Sequence, residues 1–495
     1  MSIRIVRVGL KAKRGGAAWL RGRSASARRS GWAGVGVGLV VALAPIEGPT
    51  PQASLTLGIL AWAIVWWVAG VFHETVTALI MAVLFLAVAN VPTDRVFEAF
   101  SGSTWWLLMA AFGLGLGMKE SGLVDRIALA ILTRFPARFE SQAFALMAAG
   151  TVVGPLIPSM TAKLAVLEPL ALGISDSLGY PRKERGANGL FLAALVGVRN
   201  IGPAVISASI IGYALVALYP ESVREQFNMV TWFLSALPWF AVVSVLNFVA
   251  IVALYKPKGE RAEGAGAADA GAPSASPAAR EGRGPLSSKE KKMLAIIVAT
   301  VTLWVLEPFH GIEASTVTLG ALCLCLACGI FDLKRFRSGM NWESLFFIGI
   351  VMGLSPVFAY TGVDQWVVGI FGPVMEGLAF SPYAFVLGIA VVTVLLRFVI
   401  VSEMAFVSIF MAFMLPMSLS LGINPWVVGF AVYALVNPWF TLYQNPVYLA
   451  AFYSVDGQMV RHADMAKYCV LYVAICMAGL AVSVPYWQML GLFSL

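Results

Sequence analysis

Residues 157–169 read IPSMTAKLAVLEP and place two hydroxyl side chains, a lysine and a glutamate inside a strongly apolar stretch. An ionisable side chain at the centre of a membrane helix costs about 2.5–3.5 kcal/mol, so Lys163 and Glu168 need a partner or a water-filled cavity. Ser159 and Thr161 add hydroxyl groups where the chain turns. These residue types predict an ion-binding site rather than ordinary helix packing.

Three further apolar stretches carry polar or helix-breaking residues near their middle: RNIGP (199–203), Arg397 with SEMA (402–405), and VNPWFTLYQNPVY (436–448). Proline removes an intrahelical hydrogen bond and restricts the residue before it, so the two Asn-Pro pairs of the last stretch should unwind its helix. The candidate binding residues of all four stretches are Ser159, Met160, Thr161, Lys163, Arg199, Asn200, Gly202, Pro203, Arg397, Ser402, Glu403, Met404, Asn437, Pro438, Tyr443, Gln444, Asn445 and Pro446.

Three bases and two acids lie deep in these stretches, namely Lys163, Arg199, Arg397, Glu168 and Glu403. Non-helical backbone at membrane depth survives only where it is buried in protein or lines a cavity. The N-terminus of a half-helix carries a positive partial charge and free amides. Together with the excess of bases, this favours a small anionic substrate, and the arginine fork suits a carboxylate or a sulfate.

Structural explanations stay open for each single residue. Hydroxyls such as Ser159 bond to nearby carbonyls in membrane helices, Lys163 and Glu168 would also form a salt bridge, and Arg397 would also reach a membrane surface. The functional interpretation therefore depends on the four stretches together.

The composition is that of a polytopic membrane protein. Of the 495 residues 59% are hydrophobic and 12% are charged, against about 25% charged in soluble domains. Backbone groups cannot face lipid unpaired, so the apolar stretches should be helices and the fold all-α. The net charge of +8 is concentrated in residues 1–29 and 256–292, which the positive-inside rule places in the cytoplasm beside a lipid bilayer. We therefore expect no nucleic-acid partner.

The apolar pattern divides the chain into two sets of five spans. We predict a basic cytoplasmic N-terminus (1–30), a first transmembrane helix or signal peptide (31–48), a first repeat (53–255), a disordered cytoplasmic linker (256–290) and a second repeat (291–490). The predicted helices are 33–46, 53–70, 73–91, 104–133, 186–219, 229–255, 291–307, 314–331, 342–372, 425–453 and 464–490.

Five spans is an odd number, so the two repeats should be inverted relative to each other. Loop charges agree with this only if the interrupted stretches 140–174 and 381–421 are re-entrant hairpins. An internal repeat supports the pairing, because SMTA (159–162) lies 243 residues before SEMA (402–405) and RNIGP lies 238 before NPWF (437–440). Paired interruptions in inverted repeats are typical of the binding site of secondary transporters.

The five cysteines lie within apolar helices and give no disulfide framework, and three scattered histidines do not make a metal site. We expect no cofactor.

With two hairpin motifs and two broken helices, residues 53–490 resemble the divalent anion/sodium symporter family of the solute-carrier-13 type. The resemblance implies a homodimer in the bacterial inner membrane and an elevator movement. It also implies transport of a di- or tricarboxylate or sulfate, as an exchanger or as a cation- or proton-coupled symporter, with the substrate bound between the hairpin tips.

The family marks each tip with Ser-Asn-Thr, whereas this chain has Ser159-Met160-Thr161 and Ser402-Glu403-Met404. The loss of both asparagines puts Na⁺ coupling in doubt. A basic residue after the motif is similar to the family's exchangers. We therefore expect Lys163 or Arg199 to fill a vacated cation site, with Glu403 as charge partner or proton carrier.

Two other functional classes agree less well with the sequence. A cation/proton antiporter or arsenite-type permease shares the broad architecture, but its intramembrane acids should outnumber its bases. An intramembrane enzyme should show a metal-binding His/Glu helix, paired aspartates or a nucleophile beside a base, and the sequence shows none of these.

Overall fold

The computed structural model describes residues 25–44, 49–257, 285–379, 381–441 and 444–493. Over these ranges the chain is helical, apart from turns and one isolated bridge between Ile423 and Phe493. The all-α prediction is confirmed. Most of the basic N-terminus, most of the linker and the candidate Tyr443 lie outside the described residues.

The first set of helices ends at residue 255. Its members are α1 (Ala25–Leu43), α2 (Pro51–Ala69), α3 (Glu74–Ala87), α4 (Thr93–Val96), α5 (Glu98–Ser101), α6 (Ser103–Ser121), α7 (Leu123–Leu132), α8 (Phe139–Val153), α9 (Met160–Ser177), α10 (Arg185–Ala204), α11 (Ile210–Leu218), α12 (Glu221–Gln226) and α13 (Met229–Tyr255). Short 3-10 turns, Gly154–Leu156 and Ile206–Ala208, follow α8 and α10.

The second set begins after the linker. Its members are α14 (Ser288–Val305), α15 (Glu307–His310), α16 (Ala314–Ala327), α17 (Leu333–Gly339), α18 (Trp342–Met352), α19 (Leu354–Thr361), α20 (Val363–Ala379), α21 (Pro382–Leu396), α22 (Glu403–Ser420), α23 (Pro425–Leu435), α24 (Pro446–Ser454) and α25 (His462–Met489).

Five described segments are each long and apolar enough to cross a bilayer. They are Pro51–Ala69, Met229–Tyr255, Trp342–Thr361, Glu403–Ser420 and His462–Met489. Predicted and observed helices agree closely at 229–255 and 464–490. α14 begins at Ser288, earlier than predicted, because Ser287 and Glu290 form a capping box at its start.

Two predicted continuous helices are wrong. The predicted helix 104–133 divides at Gly122, where α6 and α7 meet at a bend of 67°. The predicted helix 342–372 divides at Gly362, whereas Gly353 only interrupts the span Trp342–Thr361 locally. Gly122 and Gly362 both adopt the left-handed conformation, with φ of 76° and 78°, which ends a helix without steric cost. A single glycine does not show this conformation in the sequence.

The order of elements repeats along the chain. α8 begins at Phe139 and α21 at Pro382, 243 residues later, and α9 and α22 begin at Met160 and Glu403 with the same separation. In both sets the two helices flanking the break pack against the next helix, α10 in the first set and α23 in the second. The inverted relation of the repeats and the re-entrant path of 140–174 and 381–421 stay predictions.

Glycine contacts bring α8 and α10 unusually close together. A Cβ added at Gly197 would lie 2.6 Å from the Cα of Met147, and one added at Gly150 would lie 2.7 Å from the carbonyl carbon of Gly197. Backbone atoms cannot move aside as a flexible side chain can. This contact therefore fixes the first break against the central helix α10, of which residues 186–204 are all buried.

Replacing Gly197 with alanine should push α8 and α10 apart and cost about 1–3 kcal/mol of stability, as overpacking does elsewhere. The measurement is the thermal melting temperature of the detergent-solubilised protein. Gly173→Ala is the matched control, because a Cβ at that helical position meets nothing within 4 Å. It should leave the melting temperature unchanged or raise it through helix propensity. Equal effects of the two substitutions would contradict the close packing.

Candidate functional site

Four breaks in the helices lie within or next to the candidate stretches, at 154–159, 205–209, 397–402 and 436–445. The predicted interruption at RNIGP (199–203) is wrong in its position, because α10 stays helical to Ala204 and the break follows at 205–209. Each break is followed by a helix whose first free amides are satisfied by a serine or asparagine side chain. In the first set, the backbone N–H of Ala162 donates to the Ser159 hydroxyl at 3.2 Å and that of Ile211 to the Ser209 hydroxyl at 3.2 Å. In the second set, the N–H of Ala405 donates to the Ser402 hydroxyl at 3.1 Å and that of Tyr448 to the Asn445 side-chain oxygen at 2.8 Å. The four helix starts are thus encoded locally by polar capping residues.

Lys163 joins the two breaks of the first set. Its side chain is 0% exposed, and its Nζ donates to the carbonyl oxygens of Gly154 at 3.0 Å and Ala208 at 2.5 Å. It does not form the salt bridge with Glu168 that was one of the alternatives. The ammonium group therefore supplies the donors that these carbonyls lose where the helices stop.

Arg397 does the same in the second set. Its Nε donates to the carbonyl of Val436 at 2.7 Å and its Nη2 to that of Gln444 at 2.8 Å. Its Nη1 donates to the carbonyls of Ile400 and Val401. The side chain is 0% exposed, so it does not reach a membrane surface.

Arg199 has a different environment. It is 2% exposed, its Nη1 donates to the carbonyl of Asn437 at 2.5 Å, and its guanidinium lies 4.8 Å from the ring centre of Trp439. Among the described residues its Nε and Nη2 have no hydrogen-bond partner. Those two atoms form one edge of the guanidinium plane, which is the geometry that binds a carboxylate through two parallel bonds.

Glu403 lies beside Arg199 at the start of α22. Its carboxylate contacts the Asn437 side-chain amide, and with the amide nitrogen turned towards it the two N···O distances are 2.5 and 2.8 Å. The charges of Arg397, Arg199 and Glu74 all act on it. Arg199, Asn437 and Glu403 thus form one polar cluster, which we call the central cluster.

Sequence reasoning missed Glu74. It is the first residue of α3, and its carboxylate accepts a hydrogen bond from the hydroxyl of Ser402. An acid in the first turn of an otherwise apolar helix was the available signal, but a contact over 328 residues of sequence is not visible in any local pattern.

Gly202 links the first tip to the central cluster. A Cβ added at Gly202 would clash with the Met160 side chain and would lie 3.6 Å from the Tyr433 hydroxyl oxygen. Glu403 in turn acts electrostatically on Tyr433. Met160 of the first tip therefore packs against α10 at Gly202.

The remaining candidates have mixed surroundings. Both amide atoms of Asn200 and the Nε2 of Gln444 are buried without a described partner. The carbonyl of Pro203 accepts from Trp232, and that of Pro438 from Asn445 at 3.4 Å. Met404 is partly buried, whereas Thr161 and Pro446 are exposed.

Metal binding has no obvious place in this arrangement. Within the described ranges, no group of three or more His, Cys, Asp or Glu side chains is placed to hold a metal ion. The ligands offered at the breaks are backbone carbonyls, and Lys163 and Arg397 occupy them.

Comparison with known proteins gives the family. The family model for the sodium:sulfate symporter transmembrane region matches residues 30–493. A protein of Cupriavidus necator described as a membrane protein is 24% identical over 361 residues, covering 69% of this chain and 68% of its own length. An L-tartrate/succinate antiporter of Shigella sonnei is 25% identical over 336 residues, covering 66% of each chain. The chain thus spans about two thirds of the length of these relatives.

A solved structure shares the fold. The YdaH transporter of Alcanivorax borkumensis, whose crystal structure is described as having an unusual topology, superposes with a TM-score of 0.59 at 16% identity, covering 94% of this chain and 98% of that one. The family match favours the anion carrier over the cation/proton antiporter and the enzyme. The chain is a multi-pass membrane transporter, not an enzyme, and it belongs to the sodium:sulfate symporter family of divalent anion carriers.

Proposed function

We propose that this protein carries a small dicarboxylate of the succinate or tartrate class across the membrane, and that the Nε/Nη2 edge of Arg199 binds one carboxylate of the substrate. The observation that carries the proposal is a buried arginine with two free, parallel N–H groups at the meeting point of the broken helices. A buried donor left unpaired costs about 1–3 kcal/mol, and this cost is recovered when an anion binds.

The surroundings of Arg199 favour a planar anion. Trp439 covers one face of the guanidinium, so the guanidinium plane is fixed and its free edge has a defined direction. The unpaired amide of Asn200 follows Arg199 in the same helix. One of the relatives reported above is named an L-tartrate/succinate antiporter.

Coupling to Na⁺ is not required by this site. Carbonyl oxygens gathered at a helix break are natural ligands for a small cation. Here the carbonyl oxygens form two clusters, one in each set of helices. Lys163 supplies the positive charge at the first cluster and Arg397 at the second. We therefore propose that both side chains act as permanent cations and that transport proceeds by anion exchange or with protons.

The movement we propose is of the elevator type, within a homodimer. The hydrogen bond between Ser402 and Glu74 connects the second tip to α3. If the tips travel with the substrate while α3 stays in place, this bond breaks once in each cycle.

Replacing Arg199 with lysine keeps the charge and removes the two-pronged edge. A charge-assisted hydrogen bond contributes about 1.5–3 kcal/mol, and about 1.4 kcal/mol is a factor of ten, so the apparent affinity for succinate should fall about tenfold or more. The measurement is counterflow of labelled succinate in proteoliposomes. Arg185→Lys, an exposed position at the start of the same helix, is the matched control and should behave as wild type. Unchanged affinity in Arg199→Lys would remove Arg199 from the binding site.

Removing Lys163 should destabilise the fold. Lys163→Ala leaves the carbonyls of Gly154 and Ala208 without their donor, at about 1–3 kcal/mol each, so the melting temperature should fall. The exposed Lys289→Ala should not change it.

For the wild type, we expect the same succinate uptake rate in Na⁺, K⁺ and choline media. Uptake that strictly requires Na⁺ would contradict the assignment of Lys163 and Arg397 as permanent cations.

A further inference from the structure

Glu168 is a buried acid that the anion site does not use. It lies on α9, 0% of it is exposed, and neither carboxylate oxygen has a hydrogen-bond partner among the described residues. A charged carboxylate in such surroundings costs far more than a neutral one. In this conformation the group is therefore held as the protonated, uncharged acid.

No charged side chain nearby compensates Glu168. α9 packs against α8, α10 and α24. The charged residues of these helices and of α9 itself are Glu140, Lys163, Glu168, Asp176, Arg185 and Arg199. None of the other five forms a hydrogen bond or an ion pair with Glu168 within the described residues. Lys163 is engaged with carbonyls, and Glu140 pairs with Lys256.

A hydroxyl on a neighbouring helix leads from this region to the surface. α24, which packs against α9, carries Tyr448. That hydroxyl is 3.2 Å from Nδ1 of His462, the first residue of α25, and the histidine is only partly buried. Tyr448 itself is 0% exposed, so it separates the acid from the surface.

His462 forms the surface end of the series Glu168, Tyr448 and His462. Near His462, α25 carries Asp464 and Lys467, and Arg461 directly precedes the helix. The adjoining end of α13 carries Tyr255, whose ring packs against Tyr468 of α25. The loop before α25 contacts the loop before α10, because the N–H of Lys183 donates to the carbonyl of Met459 at 3.0 Å. His462 thus lies at the membrane face that these two loops share.

We infer that Glu168 is a proton-carrying site, loaded and unloaded through Tyr448 and His462, and that the carrier moves one proton with its anion. The inference rests on the proposed function. In the transport cycle, a conformational change brings the Tyr448 hydroxyl within hydrogen-bond distance of the ionised Glu168. Tyr448 then gives its proton to that carboxylate while its oxygen takes the Nδ1 proton of protonated His462. Only N–H and O–H bonds break and form, and the proton comes from water at the surface.

The proton site is connected to the anion site through aromatic packing. The Trp439 ring, which covers Arg199, lies 6.2 Å from the Tyr448 ring in a stacked arrangement. A change at Arg199 on anion binding therefore reaches the side chain that connects Glu168 to His462. The second set of helices has no equivalent, since the residue 243 positions after Glu168 is Met411.

The test uses the full-length protein in proteoliposomes that contain a pH-sensitive dye. Labelled succinate is followed in two modes, counterflow at equal pH and net uptake into vesicles without internal anion, and the dye reports proton entry during net uptake. Wild type should show counterflow, net uptake and acidification of the lumen. Glu168→Gln mimics the permanently protonated acid, so it should keep counterflow and lose both net uptake and acidification. Glu140→Gln is the matched control, because that acid pairs with Lys256 at the surface, and it should behave as wild type.

Each outcome decides the matter. Two results would overturn the proton site while leaving the anion carrier in place. In the first, wild type shows counterflow but no lumen acidification during net uptake. In the second, acidification during net uptake persists in Glu168→Gln. If Glu168→Gln also loses counterflow, Tyr448→Phe decides. It keeps the acid and removes the relay hydroxyl, so slowed net uptake with intact counterflow supports the inference and unchanged net uptake overturns it. Absence of counterflow in wild type would instead remove the proposed function.

Discussion

Backbone groups that leave a helix within a bilayer have to find hydrogen-bond partners inside the protein, and this constraint explains most of the site. The four breaks next to the candidate residues each free carbonyls on one side and amides on the other. The amides are met by capping side chains such as Ser159 and Ser402. The carbonyls are met by two buried cations, Lys163 and Arg397. Each cation connects the two breaks of its own set of helices.

This arrangement divides the buried charges into different roles. Lys163 and Arg397 are saturated by carbonyl groups, so their positive charge is part of the framework. Among the described residues Arg199 keeps an unpaired edge and Glu403 is paired with the Asn437 amide, which is the arrangement on which the proposed anion site depends. The two sets of helices thus share a structural device and differ in the residues left free for a ligand.

The same constraint gives Glu168 its unusual position. An acid at membrane depth is normally paired or faces water, and this one does neither within the described ranges. α24, which packs against the helix of Glu168, starts at the last break. Helix breaks therefore lie next to the central cluster, the two carbonyl-bound cations and the buried acid.

The sequence by itself determined the fold class, the helices at 229–255 and 464–490, the four interrupted stretches and the family. Long apolar runs, prolines and capping serines act over a few residues and are therefore readable locally. The helix breaks at Gly122 and Gly362 were not, because an isolated glycine does not reveal its backbone conformation. Only the tertiary structure decided which charge meets which partner. Lys163 finds carbonyls rather than Glu168, and Ser402 finds Glu74, since such contacts depend on how distant breaks pack against one another.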